Sequence, residues 1–134
     1  MADLNNFELG EYIGPVSLVN VEFTDTATAG DFLVISGVNS DGQLQVAKQS
    51  TDGKPRFFVP KGSDGVNGDI RQVVAKGRII VGFDGTVATG GNVGIDDNLA
   101  KSPGSGVSAK IGYSITKAAA QGDTGLIYFD GEQP

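Results

Sequence analysis

The chain has 134 residues, so by length it is a single domain that can bury about two-thirds of the surface its unfolded chain exposes. It contains 21 glycines, 39% hydrophobic residues, no cysteine and no histidine, and its net charge is −6. Disulfides, thiolate or imidazole zinc ligands and a histidine general base are therefore excluded, which disfavours an enzyme before any motif is read.

The first segment, residues 1–15, is predicted to be an extended arm in front of a β domain that covers residues 16–134. It has no clean helical or strand period and ends in Gly14-Pro15. A frayed terminus is one interpretation. Its sizeable apolar side chains are more than a solvated tail needs, which makes the arm a candidate binding segment: Leu4, Phe7, Leu9, Tyr12 and Ile13.

Strand patterns dominate the rest of the chain. "VNVEF" alternates as a half-buried strand does, and "DFLVIS" is the nearly continuous apolar run of a strand covered on both faces. Further strands are predicted in "QLQVAK", "RFFVP", "RQVV", "GRIIVGF", "NVGID", "KIGYSIT" and "LIYF", with a hairpin turn at "SDG". In "KIGYSIT", alternation places Ile111, Tyr113 and Ile115 on one apolar face. Only "DDNLAKS" and "TKAAA" have any helical character.

Eight or nine short strands between clusters of Gly, Asn, Asp and Ser indicate an all-β sandwich or barrel with little helix. Two phrases, "TATAGDFLVIS" and "AAAQGDTGLIYF", each place small residues and Gly-Asp before an apolar run. Gly30 and Gly122 suit a positive φ at a turn, and the following aspartates can accept hydrogen bonds from nearby backbone N–H groups. Weaker versions stand at Gly68-Asp69 and Gly90-Gly91. These phrases predict where strands begin, and they carry no catalytic information.

Charge is segregated along the chain. Residues 1–47 carry seven acids and no base, residues 48–78 carry seven bases and three acids, and the remainder carries six acids and three bases. We expect the acidic front and the basic middle to meet within the fold or across a subunit contact; a solvated, mixed surface is the alternative. The basic middle supplies candidate subunit contacts: Lys54, Arg56, Phe57 and Lys61.

Motifs for metals, nucleotides and nucleic acid are rejected. "DGVNGD" lacks the spacing of an EF-hand loop, "TGGNVGIDDN" occurs only once, and no phosphate-binding loop is present. The bases around Phe57 and Phe58 are the one candidate for nucleic acid, which the acidic total opposes. We therefore expect no cofactor, no metal and no nucleic-acid partner. No stretch approaches the ~20 apolar residues of a membrane span, and the N-terminus lacks the pattern of a secretion signal.

The order of these features resembles the small head decoration, or capsid cement, proteins of tailed bacteriophages, the group that includes the lambda-type decoration protein. The resemblance covers about residues 16–131 and rests on the Gly-Asp strand starts and on "AKIGYSIT" followed by "GDTGLIYF". It departs from that pattern in "STDGKPRFFVPKGSDGVNGD", residues 50–69. It implies a small barrel or β-tulip fold and a non-enzymatic protein of the virion.

The resemblance also implies partners and a place. These are trimers at local three-fold sites of an expanded capsid, on the outer surface of the head, that bind the major capsid protein and stabilise the shell. The arm would contact the shell by adding a strand, and the protein would be made in the host cytoplasm. The alternative function is a small ligand-binding β module of the carbohydrate-recognising type, which usually needs exposed aromatic side chains. A carboxylate-based hydrolase is a third and weaker alternative.

Overall fold

A computed structural model describes residues 8–49, 55–96, 98–102, 111–118 and 120–131. These residues contain no helix and form nine strands in one sheet, which confirms the predicted all-β class. The strands are β1 (Tyr12–Phe23), β2 (Phe32–Val38), β3 (Leu44–Lys48), β4 (Phe57–Phe58), β5 (Ile70–Phe83), β6 (Asn92–Asp96), β7 (Leu99–Lys101), β8 (Gly112–Ser114) and β9 (Thr124–Asp130).

Three boundaries differ from the sequence-based expectation. β1 begins at Tyr12, inside the predicted arm, because Tyr12 and Ile13 pair with Ile79 and Arg78 of β5. "RQVV" and "GRIIVGF" form one strand, which passes through Gly77 at φ 142°. In the weak helix candidate "DDNLAKS", residues 99–101 form strand β7.

The sheet closes into two five-stranded rings that share β5. The first ring runs β1-β3-β2-β4-β5 and closes where β5 pairs with β1. The second ring runs β5-β7-β6-β8-β9 and closes where β9 pairs with β5. β1 and β9 lie on opposite edges of β5, since both pair with its residues 76–79.

Each ring repeats the same pairings in the same order. In the first ring β1 is parallel to β3 and antiparallel to β5, while β2 is antiparallel to both β3 and β4. In the second ring β5, β6, β7, β8 and β9 take the places of β1 to β5. The turns repeat too: Phe23 N donates to Asp69 O, and Phe83 N donates to Asp123 O, both at 2.8 Å. The fold is therefore a duplicated unit, with β5 both the last strand of one copy and the first strand of the next.

The Gly-Asp phrases and their weaker versions lie at two pairs of equivalent turns in this duplicated unit: Gly30 is equivalent to Gly90, and Gly68 to Gly122. All four turn glycines have a positive φ, between 78° and 97°, which confirms the predicted turns. Asp31, Asp69 and Asp123 each accept a hydrogen bond through Oδ2 from the backbone N–H three residues earlier, at 2.8 to 3.1 Å. Gly91 stands at the fourth position and has no such side chain.

Each ring has its own apolar interior. The interior of the first ring is built from one cluster of buried residues: Val21, Phe23, Ala27, Leu33, Val46, Phe57, Val59, Val73 and Ala75. The interior of the second ring belongs to a larger cluster that includes Ile79, Val81, Phe83, Val93, Ile95, Ile127 and Phe129. Three side chains from the outside of the first ring join this second cluster: Phe32, Phe58 and Val74.

Candidate interaction surfaces

The residues before β1 are fastened to the domain itself. Gly10 N donates to Ile80 O at 3.2 Å, and Lys61 N donates to Gly10 O at 2.9 Å. Lys61 Nζ lies 2.6 Å from Glu8 Oε2 and 3.8 Å from Glu11 Oε1. The hydrogen bond and the charge of Glu8 raise the pKa of Lys61 above its ordinary value of 10.5. We call residues 8–11 the strap.

The predicted arm residues are thus divided between two situations. Leu9 packs on Gly30, where an added Cβ would come within 2.7 Å of the leucine Cγ. Tyr12 is exposed and Ile13 half-buried, both on β1. Leu4 and Phe7 lie outside the described residues. The arm's role in binding a shell stays a prediction, as does the boundary at residue 15.

The predicted subunit contacts do not form one exposed patch. Phe57 is only 6% exposed and belongs to the interior of the first ring. Arg56 is half-buried, and its Nη1 donates to Gly131 O at 3.1 Å. Lys61 is exposed and holds the strap, and Lys54 lies outside the described residues. Their role between subunits stays a prediction.

The acidic front and the basic middle do meet within the fold. Lys61 pairs with two glutamates of the front, and Lys48 Nζ lies 3.8 Å from Asp31 Oδ1. These pairs have side chains that are largely solvent-exposed on the lysine side, so they contribute little to stability. The charge segregation read from the sequence is therefore matched, at least in part, by contacts inside one chain.

The outer faces of the two rings carry equivalent rows of side chains with different chemistry. Cross-strand pairing in the first ring aligns four residues, here called the sealing row: Phe32, Phe58, Val74 and Leu18. The same pairings in the second ring align the outer row: Asn92, Tyr113, Tyr128 and Arg78. The sealing row is apolar and covers one end of the second ring's interior, whereas the outer row faces solvent.

The outer row corrects one sequence-based expectation. Tyr113 is 46% exposed, while its neighbour Ser114 is fully buried, so the tyrosine does not share the apolar face of Ile111. The Ser114 hydroxyl donates to the Thr116 carbonyl oxygen, which satisfies it without solvent. Tyr113 instead stacks on Tyr128, with ring centroids 5.3 Å apart and planes at 26°.

The first ring is open at one end. A cavity of about 380 Å³ there is the mouth of the ring, formed by Val19, Ile35, Leu44, Phe57 and Ala75, with Arg56 and Gly131 at its rim. Ile35 is 48% exposed, and Val38, three residues further along β2, is also exposed. The mouth is an apolar surface that the described residues leave uncovered.

Sequence reasoning missed both the outer row and the mouth. The available signal was the glycine that recurs before strands, because Gly30 and Gly90, and likewise Gly68 and Gly122, stand at equivalent turns of the two halves. A metal site finds no support in the described ranges, where no three acidic side chains converge. No helix in those ranges could span a membrane.

Comparison with known proteins identifies the fold alone. No protein-family model matches the chain, and no curated protein matches it either. A solved structure that does match is that of the head fiber gp8.5 N base in bacteriophage phi29, with a TM-score of 0.61 and 17% sequence identity. The match covers 90% of this chain and 98% of that one. The protein therefore has the fold of a phage head-fibre base.

Proposed function

We propose that the protein is a non-enzymatic structural protein that attaches to the outer surface of a tailed-phage head, with the major capsid protein as its partner. The observation that carries the proposal is the likeness of almost the whole chain to the N base of a phage head fibre. A static binder needs neither a catalytic side chain nor a cofactor, in keeping with a chain that lacks histidine and cysteine. In this function the protein is made in the host cytoplasm.

The finer parts of the proposal concern how the protein sits on the head. Trimers at local three-fold sites would place many copies symmetrically, so that modest contacts add up to a large stabilisation of the expanded shell. Because the strap ties residues 8–11 to the domain, residues 1–7 are the part of the arm assigned to the shell, through Leu4 and Phe7. A segment of this kind binds by adding a strand to an exposed sheet edge.

The test is co-sedimentation of the purified protein with expanded phage shells that lack decoration, titrated to saturation. Saturable binding at a multiple of three copies per local three-fold site is expected. Deletion of residues 2–7 should leave the circular dichroism spectrum unchanged and weaken binding at least about tenfold, since a buried Leu and Phe together contribute about 3 kcal/mol or more. The double variant Leu4→Ser/Phe7→Ser keeps the backbone of residues 2–7 and removes only the two apolar side chains, so it is the matched control for the deletion. Absence of binding to every such shell would overturn the proposal.

A carbohydrate-recognising module is the second candidate, and one observation favours it. Tyr113 is exposed beside Asn92, and Arg78 lies on the other side of Tyr128 in the same row, which gives an aromatic and polar surface of the type that binds sugars. Because Tyr113 and Tyr128 cover one face of each other, the surface offers less free ring area than an isolated aromatic platform. A glycan array with the wild type and Tyr113→Ala distinguishes the two functions: signal lost in the variant would favour the sugar-binding one.

A further inference from the structure

The contact between the two halves of the chain can be described in detail. The sealing row of the first ring lies against the end of the second ring, with the Phe32 and Phe129 ring centroids 5.5 Å apart. Phe32 N donates to Asn98 Oδ1 at 2.8 Å. At that end of the second ring Ile79, Ile95 and Phe129 are fully buried.

Each half of the chain carries both surfaces of this contact. Strand registers make Val19, Ile35 and Ala75 of the first ring equivalent to Ile79, Ile95 and Phe129 of the second. They likewise make the outer row equivalent to the sealing row. Within the described part of the chain only half of this potential is used: one mouth is covered by one row, while the other mouth and the other row are left uncovered by the described residues.

The free edge of β1 repeats the same asymmetry. One edge of β5 has two neighbours. Gly82 and Phe83 pair with β7 on this edge, and the β5 residues that precede them pair with β1. The equivalent edge of β1 has one neighbour in the described chain. Glu22 and Phe23 pair with β3 there, and nothing pairs with the β1 residues that precede them on this edge. Among the described residues, the first ring therefore lacks, along its β1 edge, the neighbour that the second ring has.

We propose that the missing neighbour is a second copy of this chain, which seats its outer row over the mouth of the first ring. The contact would set the outer row of one copy over the mouth as the sealing row is set within a chain, with β9 of that copy beside β1 of the next in place of the shared β5. It deepens the proposed function by naming the surfaces through which copies meet on the head, and it rests on that function for the setting in which they do so.

The residue types of the outer row suit a surface that is exposed in a single copy and covered in a contact between copies. The sealing row consists of Phe, Phe, Val and Leu, of which the first three are fully buried and the leucine half-buried, whereas the outer row offers Asn, Tyr, Tyr and Arg at the same positions. Tyrosine and arginine are the residues enriched at the centres of protein interfaces, because each combines a large apolar contact with a polar end that tolerates water. The cavity of about 380 Å³ at the mouth has room for an aromatic side chain.

The proposed contact is head-to-tail, because two different surfaces meet. Such contacts form closed rings when the rotation between copies closes, and open filaments when it does not. A closed ring of three is the arrangement that the proposed function requires at a three-fold site. The structure thus supplies a specific contact for the expected trimer.

Cross-linking between cysteine variants tests the contact, since the chain has no cysteine of its own. Position 92 is equivalent to Phe32, and position 44 to Asn98, two residues that touch within the chain. Asn92→Cys protein is mixed with Leu44→Cys protein under mild oxidation, both free at high concentration and on shells. The control pairs Asn92→Cys with Val66→Cys, an exposed site at the closed end of the first ring.

The proposal expects the 92–44 disulfide to form at least about tenfold faster than the 92–66 disulfide, and the added change Tyr113→Asp to abolish the difference. The double variant Leu44→Cys/Asn92→Cys should give covalent trimers. Equal rates for both pairs, free and on shells, would overturn the contact. Rapid 92–44 cross-linking of free protein that binds no shell would keep the contact and overturn only the proposed function.

Discussion

Gly112 shows how tightly the second ring is closed at the level of one residue. A Cβ at this position would overlap the Tyr128 carbonyl oxygen, across the β8–β9 pairing. We expect Gly112→Ala to lower the free energy of unfolding by about 3 kcal/mol, the upper range for an overpacked site. Gly42→Ala is the control, because a Cβ there meets nothing within 4 Å and only the positive φ of 82° opposes it, at a cost of about 1 kcal/mol. Urea denaturation measures both, and equal losses would contradict the steric explanation.

Phe32 and Asn92 form a matched pair created by the duplication. They occupy equivalent positions on β2 and β6, but Phe32 is buried against the second ring whereas Asn92 is exposed. We expect Phe32→Ala to cost about 3 to 5 kcal/mol and Asn92→Ala to stay within about 0.5 kcal/mol. Chemical denaturation of the two variants in parallel is the measurement. A small loss for Phe32→Ala would mean that the sealing row does not hold the two rings together.

Single residues also show where sequence reasoning reaches its limit. The turn glycines were predictable, because a glycine repeated before several strands suits the positive φ of a turn. The orientation of Tyr113 was not predictable, because a buried Ser114 violates the usual polar-out alternation and is tolerated only through its hydrogen bond to Thr116. No pattern of residue types reveals a local bond of that kind.

At the scale of elements, the ion pair of Lys61 with Glu8 adds a charge-dependent contact to the backbone hydrogen bonds that hold the strap. The folded protein holds the pKa of this lysine above 10.5, so the ion pair with Glu8 is complete below that pH and is lost as pH rises through the raised value. We expect the nuclear Overhauser effect between the Leu9 methyls and the Gly30 α-protons to weaken over that alkaline range. In Lys61→Met the effect should be weak already at neutral pH and should not change further. A variant that keeps the wild-type signal would show that the backbone bonds of Gly10 hold the strap unaided.

The strands themselves were largely predictable, and the exceptions have physical causes. "RQVV" and "GRIIVGF" were read as two strands because Gly77 usually interrupts a strand. Here Val16 of β1 packs so closely on Gly77 that a Cβ would clash, and the glycine lets β5 continue beside its neighbour. The early start of β1 was missed because Gly14-Pro15 looks like a break, yet the sheet accommodates it as an irregularity between Ile13 and Ser17.

At the scale of the whole molecule, the duplication is hidden from the sequence by burial. The two halves keep the same turns, but the sealing row is Phe, Phe, Val and Leu where the outer row is Asn, Tyr, Tyr and Arg. The sealing row is enclosed and the outer row faces solvent. The two rows therefore require different residue types, although their backbones are equivalent. The repeated turns point to the equivalence, and the strand registers establish it residue by residue.

The sharing of β5 predicts that the two rings unfold together. Loss of the first ring would strip β5 of β1 and β4, and loss of the second would strip it of β7 and β9, so we expect a single transition in urea. Amide signals of Val21 in the first ring and Ile127 in the second should report the same midpoint. Ile127→Ala should lower both midpoints equally, whereas a shift confined to the second ring would show that the rings are independent.

A strand that belongs to two rings also makes the architecture extensible. β9 occupies in the second ring the place that β5 occupies in the first, so four further strands appended after it would complete a third ring without any new kind of joint. The molecule could then be lengthened by tandem copying of a gene segment, with each added unit resting on the one before. The distance to which the molecule extends from a surface would then depend on the number of copied ring units. Copying of units is a simple route by which an appendage grows longer.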